Sequence, residues 1–225
     1  MTDRVLCVAA HADDEVLGCG GTLARYADNG SQVTVIFVSD GVTARSDDGT
    51  STMERESFAK AALEILGVND IYHLRFPDNQ LDSIPLLAIV KKLEKCLDQI
   101  NPNIIFTHHI GDLNIDHQIT CRAVMTALRP VPESRVTRIL SFEVLSSTEW
   151  AIPGVDTFTP NYFVDISSTI DKKIQAIGHY QYEMRTVPHA RSTENVGNLA
   201  RYRGNSVGLH YCEAYCLLRG VDRSE

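Results

Sequence analysis

The sequence predicts an α/β fold in which helices cover both faces of a mostly parallel sheet, a Rossmann-like arrangement of three layers. Three observations predict it. Short apolar runs rich in β-branched residues alternate with segments of helical periodicity, polar residues cluster directly after those runs, and the 225 residues are 44% hydrophobic and 22% charged, as in a soluble globular protein. This length suits one sizeable core, so we expect a single domain over residues 1–225.

Strands and helices alternate throughout the first half of the chain. Gly67 ends the second helix, and the third helix stops before Asn101 and Pro102. The predicted strands are Val5–Ala10, Gln32–Val38, Asp70–Leu74 and Asn103–Thr107. The predicted helices between them are Val16–Asp28, Thr52–Leu66 and Pro85–Ile100.

The second half of the chain is less regular. We expect strands near Arg138–Val144 and Tyr162–Asp165, and helices near Thr169–Tyr180 and Thr193–Tyr202. We interpret this half as an extension of the same domain whose loops cap the functional site.

Charge and cysteine content exclude several classes of protein. A net charge of -8 argues against a nucleic-acid partner, since such binding relies on Lys and Arg at phosphates. The six cysteines form no C-x-x-C pair, so we expect reduced, buried thiols. No apolar stretch approaches about 18 residues, which predicts no membrane span, and the first ten residues do not resemble a secretory signal. A cytoplasmic protein is expected.

The residues that suggest chemistry follow the predicted strands. In open α/β sheets, ligands gather at the carboxyl ends of the strands, where these side chains should meet. They are His11, Asp13, Asp14 and Glu15 after the first strand, Asp40 and Gly41 after the second, and His108, His109, Asp112, Asp116 and His117 after the fourth.

Three of these residues have the character of a catalytic metal site, which needs about three protein ligands and an open position. His11 and Asp14 are three residues apart at a strand-to-helix turn, and His117 follows a different strand. Asp14 could instead cap the helix, while His108 and His109 are as readily core or loop histidines and are left out of the metal shell. The ligand types favour Zn²⁺, although iron or cobalt would also fit.

Two segments carry a resemblance to a known family. The stretch AHADDEVLGCGG, Ala10 to Gly21, together with DLNIDH, Asp112 to His117, resembles the PIG-L or LmbE-like deacetylases. Members of that family have a Rossmann-like fold, bind zinc and remove acetyl groups from N-acetylglucosamine-type substrates. The resemblance covers most of the chain, and implies that His11, Asp14 and His117 hold zinc and that Asp13 is the general base.

The sequence departs from the family pattern at two positions. Ala12 stands where the family usually has proline, which should loosen the turn but removes no functional group. Asn114 stands where many members have a histidine that assists at the substrate carbonyl, so we expect a substrate contact at Asn114 but another proton donor. His189, in the unusual loop Thr186 to Ser192, is our candidate, with a solvated turn residue as the alternative.

Further residues are candidates for binding and support. Arg55 and Arg191 could grip an anionic group of the substrate, or lie solvated at helix ends. Trp150, the only tryptophan, could stack on a sugar ring or be buried in the core. Asp40 and Asp116 are expected to orient metal ligands from behind.

The glycines at positions 18, 20 and 21 lack the G-x-G-x-x-G spacing of a nucleotide-binding loop. We interpret them as allowing a helix to approach the sheet closely.

The sequence thus predicts a zinc-dependent hydrolase that removes an acyl group from an N-acetylated sugar, sugar nucleotide or glycolipid head group. Two alternatives stay open: a metal-dependent phosphoester hydrolase, which would need more ligands, and a catalytically silent Rossmann-type binding module. Assembly into homo-oligomers is also left open.

Overall fold

In a computed structural model, which describes residues 2–41, 52–68 and 70–222, the chain is built around a seven-stranded sheet of order β3-β2-β1-β4-β5-β7-β6. The strands β1 to β5 are parallel, whereas β7 runs antiparallel to both β5 and β6. The strands are β1 Arg4–Ala9, β2 Gln32–Ser39, β3 Asp70–Phe76, β4 Ile104–His108, β5 Arg138–Phe142, β6 Tyr162–Asp165 and β7 Cys212–Gly220.

Helices cover both faces of this sheet, which confirms the predicted three-layer fold. One face packs against α1, α2, α5 and α6, and the other against α3 and α4. The helices are α1 Asp14–Asp28, α2 Thr52–Ile65, α3 Leu86–Ile100, α4 Ile115–Ala127, α5 Ile170–Ile177 and α6 Thr193–Asn205. Short 3₁₀ turns occupy Leu81–Ser83, Thr148–Trp150 and Gly178–Tyr180.

Alternate residues of the central strand β1 point into the two halves of the core. Val5 and Cys7 join the cluster under α1, whereas Leu6 and Val8 join the cluster under α3 and α4. Both sides of β1 are therefore apolar, as expected of a parallel strand buried on both faces.

The predicted elements of the first half are all present, with ends displaced by one or two residues. The prediction omitted α4 and β7. The buried face of α4 begins with polar residues of the site, Asp116, His117 and Thr120, which weakens the apolar periodicity. Strand β7 carries the buried charge of Glu213, a residue type that is rare inside strands.

Helix α1 lies close to the sheet because it carries glycines on its packed face. A Cβ atom added at Gly18 would lie 2.3 Å from the Phe142 ring, and one added at Gly21 would lie 2.8 Å from Ile166. This agrees with our interpretation of the glycine cluster.

Helix α1 is also kinked at Cys19, whose φ and ψ of -146° and 15° are not helical. The kink exposes backbone N–H groups of the following turn, as at any helix start. Glu213 of β7 accepts hydrogen bonds from the N–H groups of Gly21, at 3.0 Å, and Thr22, at 2.7 Å. The buried Lys173 of α5 pairs with the same carboxylate at 2.5 Å.

All six cysteines are free thiols; four of them are buried as expected, whereas Cys96 and Cys216 are half-buried. Among the described helices, none has the length and apolar character needed to cross a membrane.

Candidate active site

A cavity of about 120 Å³ lies at the carboxyl edge of the parallel strands. The segment that follows each of these five strands contributes to its wall. These contributions include Ala12 after β1, Gly41 after β2, Asp78 after β3, Asn114 after β4 and Ser146 after β5. The connection between α5 and α6 closes the cavity with Glu183 and Arg191.

Three side chains in this cavity bring their donor atoms to one point. Asp14 Oδ2 lies 3.2 Å from His11 Nδ1 and 3.3 Å from His117 Nε2, and the two histidine nitrogens are 3.3 Å apart. Ligand atoms held about 2.0–2.1 Å from a tetrahedral zinc are about 3.3 Å from one another. The trio expected from the sequence therefore has the spacing of three corners of a zinc site.

Carboxylates lie behind both of these histidines. His11 Nε2 is 3.1 Å from Asp78 Oδ1 and 3.2 Å from Asp116 Oδ2. The Asp116 carboxylate is itself held by the backbone N–H groups of Asn79, at 2.8 Å, and Leu81, at 3.0 Å. Such carboxylate–histidine pairs fix the orientation of metal-binding imidazoles.

His117 has an equivalent partner in Asp112, whose Oδ1 lies 3.1 Å from His117 Nδ1. Asp112 also accepts hydrogen bonds from the hydroxyl groups of Ser147 and Thr148, and from the backbone N–H of Asn114 at 2.9 Å. Burial raises the pKa of Asp112, but the contacts with His117 and the two hydroxyls outweigh it and lower this pKa to about 2.

The surroundings of the histidines favour a cation. Burial lowers the pKa of His11, yet Asp116, Asp14 and Asp78 outweigh it and raise this pKa well above its usual value. Burial also lowers the pKa of His117. Asp14 and Asp112 outweigh this effect and raise the pKa to about 9. The carboxylates thus surround the two imidazoles with surplus negative charge, which suits a divalent metal ion bound in place of protons.

Asp13 projects into the same cavity from a strained turn. Its φ of 123° is a conformation that residues with side chains rarely adopt, and such strain is concentrated at functional sites. Its Oδ2 accepts a hydrogen bond of 2.8 Å from Arg191 Nη1. Burial raises the pKa of Asp13 to about 7, although the Arg191 guanidinium opposes this rise.

The turn at Asp13 is held by a fully buried neighbour. Glu15 Oε2 accepts the backbone N–H of Asp13 at 3.0 Å, and Glu15 Oε1 accepts the hydroxyl of Tyr180 at 2.6 Å. These two bonds connect the strained turn to the 3₁₀ turn after α5, so the backbone at Asp13 is fixed by packing from the second half of the chain.

The two histidines that we left out of the metal shell have structural partners. His108 is fully buried, its Nε2 accepts the backbone N–H of Ala10 at 2.8 Å, and its ring stacks on His117 with centroids 3.9 Å apart. His109 Nε2 donates to the carbonyl of Asp156 at 2.6 Å. Both match the alternative of histidines bonded to the backbone.

The structure brings three of the remaining candidates to the cavity wall. Arg55, Asn114 and Arg191 line it. Arg55 pairs with Glu183 at 2.7 Å, and Asn114 Oδ1 caps α4 by accepting the N–H of Asp116 at 2.8 Å. The guanidinium of Arg191, which we expected to bind an anion, is directed to Asp13.

Three candidates lie elsewhere. Trp150 and His189 line an adjoining cavity, where their rings meet edge to face with centroids 5.8 Å apart. The cavity that contains His11, Asp14 and His117 is called the metal cavity below. His189 is not among the residues that line it, and its role as a proton donor stays a prediction. Asp40 follows β2 beside Gly41, and its supporting role stays a prediction; the carboxylates beside His11 Nε2 belong to Asp78 and Asp116.

Sequence reasoning missed several residues of the site, namely Asp78, Asp112 as a partner of His117, Ser146, Ser147 and Glu183. Asp78 follows β3 and could have been found by the strand-end argument that selected His11. Ser146 and Glu183 lie in irregular segments of the second half, where no pattern in the sequence indicates which side chains turn inward.

Helices cover both faces of the sheet, and His–Asp–His donors converge at its carboxyl edge. These two features define an LmbE-like α/β protein with a candidate metal centre. The family described as PIG-L, GlcNAc-PI de-N-acetylase, matches residues 6–128, more than half of the chain. The chain belongs to this family.

Three comparisons illustrate the relationship. The chain is 25% identical over 227 residues to a diacetylchitobiose deacetylase of Thermococcus kodakarensis, with 97% of this chain and 84% of the relative covered. It is 28% identical over 189 residues to a probable N-acetyl-alpha-D-glucosaminyl L-malate deacetylase 2 of Bacillus cereus, with 80% and 84% covered. The solved N,N'-diacetylchitobiose deacetylase of Pyrococcus horikoshii shares the fold with a TM-score of 0.80, at 23% identity and 97% and 84% coverage.

Proposed function

We propose that this protein is a metal-dependent N-deacetylase that hydrolyses the N-acetyl amide of an amino sugar or sugar conjugate and releases acetate and a free amine. One observation carries the proposal: His11 Nδ1, Asp14 Oδ2 and His117 Nε2 converge in one cavity, and the side chain of Asp13 lines the same cavity. Membership of the PIG-L family and the deacetylases among the relatives support the reaction class.

The donor set is suited to Zn²⁺, with His11, Asp14 and His117 as the protein ligands. When bound, such an ion polarises the amide carbonyl and makes water easier to deprotonate near neutral pH. Asp116 accepts the other N–H of His11 at 3.2 Å, and Asp78 and Asp112 lie 3.1 Å from His11 Nε2 and His117 Nδ1, so these carboxylates keep the two imidazoles oriented.

Asp13 acts as the general base in this proposal. Its carboxylate takes a proton from the water molecule whose oxygen attacks the carbonyl carbon. The protonated Asp13 then passes that proton to the amide nitrogen as the carbon–nitrogen bond breaks, so that acetate and the amine leave. Arg191, bonded to Asp13 Oδ2 at 2.8 Å, positions the carboxylate for both steps.

The two alternative functions have less support. A two-metal phosphoester hydrolase needs a second complete ligand set. The second group of possible ligands, His11, Asp78 and Asp116, shares His11 with the first, and Asp116 already accepts two backbone N–H groups. A silent binding module would not need Asp13 in a strained turn that faces the metal ligands.

The test combines metal analysis with acetate release. Purified protein would be assayed for bound metals by elemental analysis, and for acetate released from N-acetylated sugars, sugar nucleotides and glycolipid head groups. We expect about one zinc per chain and acetate from at least one substrate class, with activity lost on chelation and restored by zinc.

Other outcomes would count against the proposal. Two metals per chain with phosphatase activity would favour the phosphoester hydrolase. Absence of both bound metal and acetate release would favour the binding module.

A further inference from the structure

A second cavity of about 570 Å³ adjoins the metal cavity. It lies between the segment 145–150, the segment 187–192 and the first turns of α6. Trp150 and Val187 both line it, and these residues are 51% and 58% exposed. An aromatic side chain left this open inside a cavity is available to a ligand, whereas a tryptophan of the core would be covered.

The two cavities share a common wall. Ser146 and Arg191 line the metal cavity, while the residues next to them in the chain, Leu145, Ala190 and Ser192, line the second. Arg191 Nε donates to Ser146 Oγ at 3.0 Å, and the Arg191 backbone N–H donates to His189 Nδ1 at 3.0 Å. The segments 145–150 and 187–192 therefore place Arg191, the partner of Asp13, at the metal cavity and the exposed Trp150 at the second cavity.

The side chains that line the second cavity suit a sugar ring. The flat indole face suits the apolar face of a sugar ring, and Asn195 and Asn198 offer amide groups to its hydroxyls. The acceptor role of His189 Nδ1 leaves the proton of the neutral ring on Nε2, a further donor.

Charge in the second cavity disfavours anions. Its charged residues are the carboxylates of Glu149 and Glu194, and among the described residues that line it none is a lysine or arginine. A phosphate or carboxylate on the bound molecule would be repelled there, whereas a neutral ring would not.

We propose that this cavity is a second sugar subsite, in which Trp150 stacks on a neutral ring that is linked to the N-acetylated sugar in the metal cavity. The inference rests on the proposed function and narrows its substrate class to uncharged oligosaccharides or neutral glycosides. Anionic conjugates, such as sugar nucleotides, are disfavoured.

Fluorescence offers a test that does not depend on catalysis, because Trp150 is the only tryptophan of the chain. The zinc-loaded Asp13→Asn protein would be titrated with N-acetylglucosamine, its β-1,4-linked disaccharide, and N-acetylglucosamine 1-phosphate. We expect the disaccharide to change the tryptophan emission with an affinity about 10-fold higher than that of the other two sugars. Equal affinity for the monosaccharide and disaccharide, or tighter binding of the phosphate, would overturn the inference.

Kinetics of the Trp150→Ala variant provide the second arm. We expect its kcat/KM for the disaccharide to fall about 10-fold, its value for the monosaccharide to stay within about 2-fold, and Trp150→Phe to recover part of the loss. Tyr202→Ala is a matched control, because Tyr202 is an aromatic residue 65% exposed on α6 that lies outside the lining of both cavities. Equal losses on the two sugars would contradict the subsite.

The charge argument is tested by Glu194→Gln, which should improve the relative kcat/KM for the 1-phosphate severalfold by removing a repulsive carboxylate. An unchanged ratio would contradict that argument.

The proposed function and the proposed subsite can fail separately. If no sugar yields acetate with the wild-type enzyme, the deacetylase proposal fails, while the fluorescence titration still decides the subsite.

Discussion

Asp13 shows how one residue of this site depends on several others. Its backbone lies at φ 123°, a conformation that costs roughly 1–3 kcal/mol, and it keeps this conformation because Glu15 accepts its N–H. Arg191 then directs its carboxylate. The reactive geometry is therefore imposed by contacts rather than by the local preference of the chain.

We expect Asp13→Asn to retain bound zinc and to lose turnover by at least about 10²-fold, because asparagine keeps the shape of the side chain but cannot accept the proton. Metal content and acetate release, measured on the same preparation, check this. Asp82→Asn is the control, since Asp82 is exposed on the 3₁₀ turn Leu81–Ser83. An Asp13→Asn enzyme with near-normal turnover would remove the base role.

At the residue scale, the sequence predicted a trio of donors that does converge, because short side chains at the ends of adjacent parallel strands must lie near one another. It could not predict the pairing of Arg191 with Asp13. These residues are 178 positions apart, and the loop that carries Arg191 has no periodic pattern to fix its path.

At the scale of the elements, helix α1 connects the proposed metal ligands to the core. Asp14 stands at its start, and Gly18 and Gly21 let the helix lie against Phe142 and Ile166. The close packing keeps the first turn of α1, and with it Asp14, at a fixed height above the sheet.

We expect Gly18→Ala to destabilise the protein by roughly 1–3 kcal/mol, because its Cβ would meet the Phe142 ring at 2.3 Å and force the helix outward. Gly197→Ala is a matched control within α6, where an added Cβ has no neighbour within 4 Å. The control should raise stability by roughly 0.5–1 kcal/mol through helix propensity. Urea unfolding of both variants measures this; equal effects would refute the packing argument.

The elements that sequence reasoning missed are those in which function or a buried charge replaces the apolar pattern. Helix α4 begins at the N-cap Asn114 and presents His117 in its first turn, so its inner face is polar where it meets the site. Elements whose inner face is entirely apolar, such as α3, were predicted to within one residue.

At the scale of the whole molecule, the two halves of the chain have different tasks. The first half supplies the parallel strands, the proposed metal donors and much of the wall of the metal cavity, and the second half supplies Arg191, Glu183 and the lining of the second cavity. The parallel arrangement of strands in the first half followed from its regular alternation of strands and helices. The second half was not predictable to the same degree, because its loops are positioned by contacts distant in the sequence.

The buried ion pair of Lys173 and Glu213 joins α5, β7 and α1. We expect Lys173→Met to cost about 3–5 kcal/mol of stability, since it leaves the Glu213 carboxylate buried without its cation. Adding Glu213→Gln should recover part of this loss, so the two effects should be non-additive. Chemical denaturation of the single and double variants measures the coupling.

The control for this prediction is the exposed pair of Lys60 and Glu64 on α2, whose nitrogen and oxygen are 3.9 Å apart. Lys60→Met should change stability by no more than about 0.5 kcal/mol. A Lys173→Met protein as stable as this control would show that the buried pair is dispensable.

The carboxylate of Glu213 also bears on how the protein is made. It completes the hydrogen bonds of α1 at Gly21, although the two residues are 192 positions apart in the chain. During translation, α1 emerges long before Glu213 exists, so we expect the turn after Cys19 to stay incompletely packed until β7 has been synthesised. Asp14 begins that same helix and His11 lies just before it, so assembly of the proposed metal centre should be one of the last events in the maturation of the nascent chain.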